Sequence, residues 1–429
     1  MQTRRAVPLG TPTVGRIVGR GGPVGVRLGT AVCVWASAPV ALGQGLQLRG
    51  GEPAPAGQVI GVDAAGVHLG PAPVDGKSAA ETVVVSWDRV AAVQGNTNAN
   101  TYATVAEEAW RARTRMERSD FISAEPLLER LYDQYKGQKG ATGAVIAEGL
   151  LRCRLRRGAH VLAIEPWLSM LRAESSPHTP VLHEAWAAEA GLPTVIDSST
   201  GLIPALPPIW LSWPAVDSFA KGRDPTPPVS AKATAADARA DILSQIYYQA
   251  ARFEAGLPAS LPELATNDPG VAIAWQVVQA RIGDPEQREA VRRLLRDRLR
   301  PPPALGPVPL WLEAWIHAAL GRSLVREEAT EQRQEGVIEL LNLPARFSRT
   351  HPYLCGIALA ESSATLRSLG DQDGADLLAR ELIASYPSHP VNDWLPFRTS
   401  KPKSAPAPAR PAPLKEGEIP QDAPVQSPK

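Results

Sequence analysis

The chain has little of what small-molecule chemistry usually requires. Its 429 residues include only 3 cysteines, 3 methionines and 7 histidines, and aromatic residues make up 5%. So few cysteines exclude a disulfide framework. No Walker loop, no G-x-S-x-G and no G-x-G-x-x-G following a strand occurs, so the usual phosphate cradles and nucleophile elbows are missing. "HEAWA" at 183–187 starts like a zinc-protease helix, but Ala187 stands one turn on, where a second metal-binding histidine would be needed. His183 is therefore expected to be a surface or capping histidine. The sequence calls for no cofactor, no metal and no catalytic residue. A formal net charge of +1 gives no whole-molecule attraction to nucleic acid.

Proline, by contrast, is abundant. Its 42 copies are about twice the average share. They concentrate near 202–228, 301–309 and 402–428, which mark the candidate boundaries. Residues 1–43 carry Arg4, Arg5, Arg16, Arg20 and Arg27 and no acid. They also contain the apolar run "LGTAVCVWASAPVA", with Ala41 and Gly43 just before Gln44. A basic n-region, a short h-region and a small-residue cleavage site describe a secretory signal peptide. The run is too short for a bilayer of about 30 Å, so export to the periplasm or beyond is expected, with no integral span in the mature chain. Without those arginines the formal charge becomes −4. Cys153 and Cys355 then remain, in the apolar helical contexts "LLRCRL" and "YLCGIAL". They read as buried free thiols, one disulfide staying possible.

Residues 44–98 predict a small β module. "GQVIGVDAAGVHLG" and "ETVVVSWDRVAAVQG" alternate with period two about a "DAAG" turn, and Gly66 suits a positive φ. About forty residues hardly stand alone, so the module should pack on the next part of the chain, with Trp87 as anchor. From residue 102 the period becomes helical: Val105, Ala109, Ala112 and Met116 share one face. A second helix turns Ala124, Leu128 and Leu131 inward, capped by Ser119 or Asp120, with Pro126 tolerable if the first turn begins near Ser123.

"AEPLLERLY" at 124–132 returns as "IEPWLSMLR" at 164–172. Glu125 and Pro126 correspond to Glu165 and Pro166 at a spacing of 40, while Glu107 and Arg111 correspond to Glu148 and Arg152 at 41. A two-helix unit repeating over 99–190 explains both. Three further hairpins start near 271, 309 and 351, within 235–390, and a helix at 235–255 caps that second run. Residues 191–234 form a Pro/Trp-rich connection, and 391–429 read as a disordered Pro/Ala-rich tail. The fold class is mainly α: an irregular α-solenoid of helical hairpins preceded by a small β-strand module.

"SDFISAEPLLERL" (119–131) and "GDQDGADLLARELIASYP" (370–387) resemble the turn and second helix of tetratricopeptide repeats, with Ser119, Asp120, Phe121, Ala124, Leu128 and Leu131 matching in one copy and Gly370, Asp371, Ala375 and Leu382 in the other. The resemblance implies a binding scaffold without intrinsic catalysis, working through protein–protein interaction in the cell envelope.

Arginines cluster at 111–118, 152–157 and 292–300. Stacked repeats would align Arg111 with Arg152 and Arg115 with Arg156, forming a ladder for a protein or acidic peptide. The alternative is solvated helix faces, because Glu107 and Glu148 each precede an arginine by four residues. Trp210 and Trp213, in "GLIPALPPIWLSWPAV", belong either to an ordered connection across the solenoid or to a plug that a partner displaces. One enzymatic reading stands beside these. Glu361-Ser362 resembles the catalytic Glu-Ser of lytic transglycosylases, which implies Glu361 as general acid on an envelope glycan.

Overall fold

The computed structural model describes residues 45–70, 82–173, 194–222, 234–264, 267–302, 306–394 and 396–397. The segment expected to be a signal peptide, His183 and residues 398–429 lie outside the described residues. The expected start of a disordered tail at 391 is corrected: Pro390–Asp393 form a short 3-10 helix, and Val391 and Phe397 are fully buried in the helical core.

Among the described residues, five short strands precede the helices: β1 (Leu46–Leu48), β2 (Gln58–Asp63), β3 (Gly66–Gly70), β4 (Val83–Val85) and β5 (Val90–Val93). β1 pairs antiparallel with β5, and β2, β3 and β4 form an antiparallel meander. The β2–β3 turn needs Gly66, since φ is +146° and a Cβ there would sit 2.2 Å from the carbonyl oxygen of Val85. Trp87 anchors the module as expected. It is 1% exposed, stacks on Tyr102 with centroids 4.8 Å apart, and donates its indole N–H to the carbonyl of Asp63 at 2.8 Å.

Twelve α-helices follow among the described residues: α1 (Ala103–Glu117), α2 (Phe121–Tyr135), α3 (Ala141–Arg156), α4 (His160–Ala173), α5 (Pro214–Lys221), α6 (Ala235–Glu254), α7 (Pro269–Ile282), α8 (Pro285–Arg298), α9 (Leu310–Leu324), α10 (Thr330–Phe347), α11 (Pro352–Ser368) and α12 (Gln372–Ser385). Consecutive helices pack against one another, so the molecule is an irregular α-solenoid of hairpins behind a β module. Asp120, Asp268, Asp284 and Asp371 cap their helices by accepting a backbone N–H three residues on, at 2.8 to 3.1 Å. Cys153 and Cys355 are free and buried, and burial pushes their thiols up to about 12 and about 11.

The repeat spacing needs correcting. In the α1–α2 turn, Asp120 N–H donates to Arg115 O at 2.8 Å around Ser119, whose φ is +61°. In the α3–α4 turn, Ala159 N–H donates to Arg154 O at 2.8 Å around Gly158, φ +76°. Arg115 reaches over to Ser123 O, and Arg154 likewise to Leu162 O, at 2.6 and 2.7 Å. Each member of these pairs is 39 residues from its counterpart, so 39 is the structural period, not 40 or 41. Helix α2 also begins at Phe121 rather than near Ser123, which places Pro126 in its second turn, on the exposed side. The matching letter Pro166 is buried instead.

Residues 200–213 cross the helices as a strap without regular structure up to α5. Leu202, Ile203, Leu206, Ile209, Trp210 and Leu211 are each at most 2% exposed. Backbone carbonyls so deeply buried require donors, and side chains provide them. Tyr247 donates to Leu206 O at 2.5 Å, Trp315 to Pro204 O at 3.0 Å, Tyr353 to Ile209 O at 2.8 Å and Arg322 to Trp210 O at 2.7 Å.

Arg322 also belongs to a buried ionic quartet. Its Nε lies 2.7 Å from Glu361 Oε2 and its Nη2 2.9 Å from Glu254 Oε1, while Arg281 contacts both glutamates at 2.9 Å. Burial alone would raise the Glu254 carboxyl, but the two guanidiniums outweigh it and hold the group below its ordinary value. One charge thus comes from each of α6, α7, α9 and α11. Arg322→Met should lower unfolding stability by about 3–5 kcal/mol, because two buried carboxylates lose a counter-charge. Urea denaturation measures this, with the exposed Ile338→Ser expected to stay within about 0.5 kcal/mol of the parent.

Candidate functional site

The residues singled out from sequence do not converge. Arg111 is exposed and pairs with Glu107 at 2.8 Å, whereas Arg152 is 6% exposed and pairs with Glu148 at 2.6 Å. With a period of 39, the counterpart of Arg152 is Arg113, also 6% exposed and bound to the buried Asp88 at 3.1 Å. Arg115 matches Arg154, and both tie their turn to the next helix. The expected Arg111–Arg152 and Arg115–Arg156 ladder therefore does not form, because the turn sets a different register. In the third cluster, Arg292 is 2% exposed and holds Glu327 at 2.6 Å and Glu289 at 2.7 Å. Trp210 and Trp213 are 1% and 5% exposed, inside the strap's packing. Glu361 is 5% exposed with both oxygens engaged by Arg281 and Arg322, so no glycosidic oxygen has room to approach it.

Of the six, Arg156 lines an open groove. A groove of about 610 Å³ lies between the α3–α4 turn, the strap at Ala205 and Pro207, the α10–α11 turn and the segment after α12. An adjoining depression of about 460 Å³, lined by Phe121, Ile122, Glu125, Pro126 and Glu129, shares Arg156 and Arg157 with it. Ile122 is 88% exposed there, an unusual apolar surface.

Three histidines line the groove, each where a helix begins or has just ended: His160 opens α4, His351 precedes α11 and His389 follows α12. Tyr353 joins two of them, its ring centroid 4.0 Å from that of His160 and 5.5 Å from that of His389. Val391 N–H donates to His389 Nδ1 at 3.1 Å, which fixes the tautomer: Nε2 carries the proton and donates to Tyr353 O at 2.9 Å. His389 can seat this closely because Gly356 lies beneath it, where a Cβ would come 2.5 Å from the imidazole. His160 directs Nδ1 to Gly158 O at 2.9 Å, so that nitrogen is the donor. Burial lowers both imidazoles to about 4, which leaves them neutral at pH 7.

Positive charge in the groove therefore comes from Arg156, Arg157 and Arg349. Arg157 spends its charge on Glu125 at 2.8 Å. Arg156 and Arg349 are exposed and have no carboxylate partner among the described residues, and no Asp or Glu is among the residues lining the groove. Two open guanidiniums on tyrosine, histidine and proline walls suit an anionic, partly apolar ligand, above all a carboxylate-bearing peptide. Sequence patterning missed Arg349, His160, His351 and His389. The one signal was positional, a histidine beside each of three turns in "RGAH", "RTHPY" and "PSHP". Compared with known proteins, the chain matches no family model, no curated protein and no solved structure.

The half-buried imidazoles of His160 and His389 set a pH dependence. Their folded values lie below the ordinary 6.5, so between about 4 and 6.5 the unfolded chain holds protons that the folded chain lacks. Stability should fall as pH drops through that window, with uptake of about two protons on unfolding near pH 5 from His160 and His389. Urea titrations at pH 5, 6 and 7 measure the slope, and His160→Gln with His389→Gln should flatten it.

Proposed function

We propose that the protein is an exported, non-enzymatic helical scaffold that holds an acidic segment of a partner protein in the groove at Arg156 and Arg349. The observation that carries this reading is the pair of open guanidiniums in a walled groove, while the neighbouring Arg152, Arg154 and Arg157 are each committed to a carboxylate or a backbone carbonyl. Stacked hairpins suit the role, since groove residues can vary without disturbing the repeat cores. The export half of the reading rests on the basic leader and its 14-residue apolar run. Among the described residues, no helix is long and apolar enough to cross a membrane. The resemblance to tetratricopeptide repeats adds to the protein-binding reading, and Glu361 in its ionic quartet offers nothing to a glycan-cleaving one.

The test uses a fluorescein-labelled 12-residue peptide containing four glutamates, a proline and a leucine, titrated against the mature chain. Arg156→Glu with Arg349→Glu should weaken binding at least tenfold while leaving the unfolding midpoint unchanged. Arg111→Glu, an exposed site outside the groove lining, should leave affinity within twofold. Equal losses from both variants would reduce the effect to general surface charge and overturn the assignment.

A further inference from the structure

The groove offers two open positive charges beside apolar walls, and the chain itself carries a segment of matching chemistry. Residues 398–429 hold three acidic residues, Glu416, Glu418 and Asp422, all within seven positions of one another. They flank Ile419 and Pro420 in the run "EGEIPQD". The remainder of that stretch carries Arg398, Lys401, Lys403, Arg410, Lys415 and Lys429, so only this run has the sign the groove attracts.

The covalent geometry permits the encounter. Pro390 lines the groove, and Phe397, which is fully buried, comes seven residues later. Seven residues span at most about 25 Å even when extended, so the point from which the tail leaves stays near the groove. From Phe397 to Glu416 the chain has 19 residues, an extended reach of roughly 60 Å. Proline-rich stretches favour an extended conformation with little entropy left to lose, and such segments dock on aromatic-lined grooves. A tether of this length supplies an effective concentration on the order of millimolar, enough for a weak charged contact to be well populated.

We infer that residues 416–422 of this chain occupy its own groove, their carboxylates against Arg156 and Arg349 and Ile419–Pro420 against Tyr353 and Tyr386, so that an acidic partner segment must displace them. The inference rests on the reading of the groove as an acid-binding site and adds its regulation: the scaffold is self-occluded until a competitor of higher affinity arrives. A cis occupant also limits capture of weakly acidic bystanders, because any ligand must exceed the tethered segment.

The experiment introduces Thr350→Cys at the groove and Gln421→Cys in the tail of the full mature chain, then follows intramolecular disulfide formation under mild oxidation. Cys153 and Cys355 are buried with raised thiols and do not compete. The expected result is cross-linking at least tenfold faster than in the same pair carrying Arg156→Glu and Arg349→Glu, which keeps the tether length and changes only the charge. Restoration of the fast rate by adding Glu416→Lys, Glu418→Lys and Asp422→Lys to that variant would establish direct charge pairing. In parallel, Glu416→Gln with Glu418→Gln and Asp422→Gln should raise affinity for the labelled acidic peptide about fivefold. Cross-linking that ignores the arginines, with peptide binding intact, overturns self-occlusion and leaves the groove a site for partners in trans. Slow cross-linking together with no peptide binding by the glutamine variant overturns both readings.

Discussion

A buried segment without regular structure must find hydrogen-bond partners for its own backbone, and that requirement organises this molecule. The strap at 200–213 lies where water cannot serve its carbonyls, and four of them are met by Tyr247, Trp315, Arg322 and Tyr353. These donors come from α6, α9 and α11, helices far apart in sequence, and each is held in orientation by packing of its own. The prolines make the strap incompatible with a helix, and its tryptophans, leucines and isoleucines make it apolar enough to be buried. Joined in this way, the two runs of hairpins meet along one seam, and the groove is the open end of that seam.

The same constraint explains why arginines of one chain play opposite parts. Arg281 and Arg322 sit at the seam with Glu254 and Glu361 and are consumed by structure. Burying such ions is costly unless each is fully paired, and the quartet satisfies that condition with two charges of each sign. Arg156 and Arg349 line the groove, exposed and without a carboxylate partner among the described residues, so they remain available. Spacing along a helix does not distinguish these situations, because burial is decided by which other helix arrives.

Much of the architecture is legible in the sequence because it is local. The change of period near residue 102, the cap at Asp120, the Trp87 anchor and the buried apolar setting of both thiols depend on neighbours within a few positions. The register of the repeat is not legible in the same way. Glu-Pro returns after 40 residues, but the αL turns at Ser119 and Gly158 place equivalent backbone 39 apart, so identical letters at Pro126 and Pro166 face opposite environments. Asp88 carries no local sign of its buried partner Arg113, 25 residues away. The groove is invisible for a related reason: His160, Tyr353 and His389 become neighbours only through packing across some 190 to 230 residues of chain, and pattern analysis sees no such distance.

The strap has a consequence for how the molecule comes apart. In an ordinary solenoid each unit touches only its neighbours, so unfolding can begin at one end and proceed unit by unit. Here Tyr353 is bonded to Ile209 and Trp315 to Pro204, links of 144 and 111 residues. Closing loops of that length raises contact order, which slows folding and joins the hairpins into one cooperative block. Stacked hairpins tied in this way are expected to unfold in one cooperative transition rather than unit by unit.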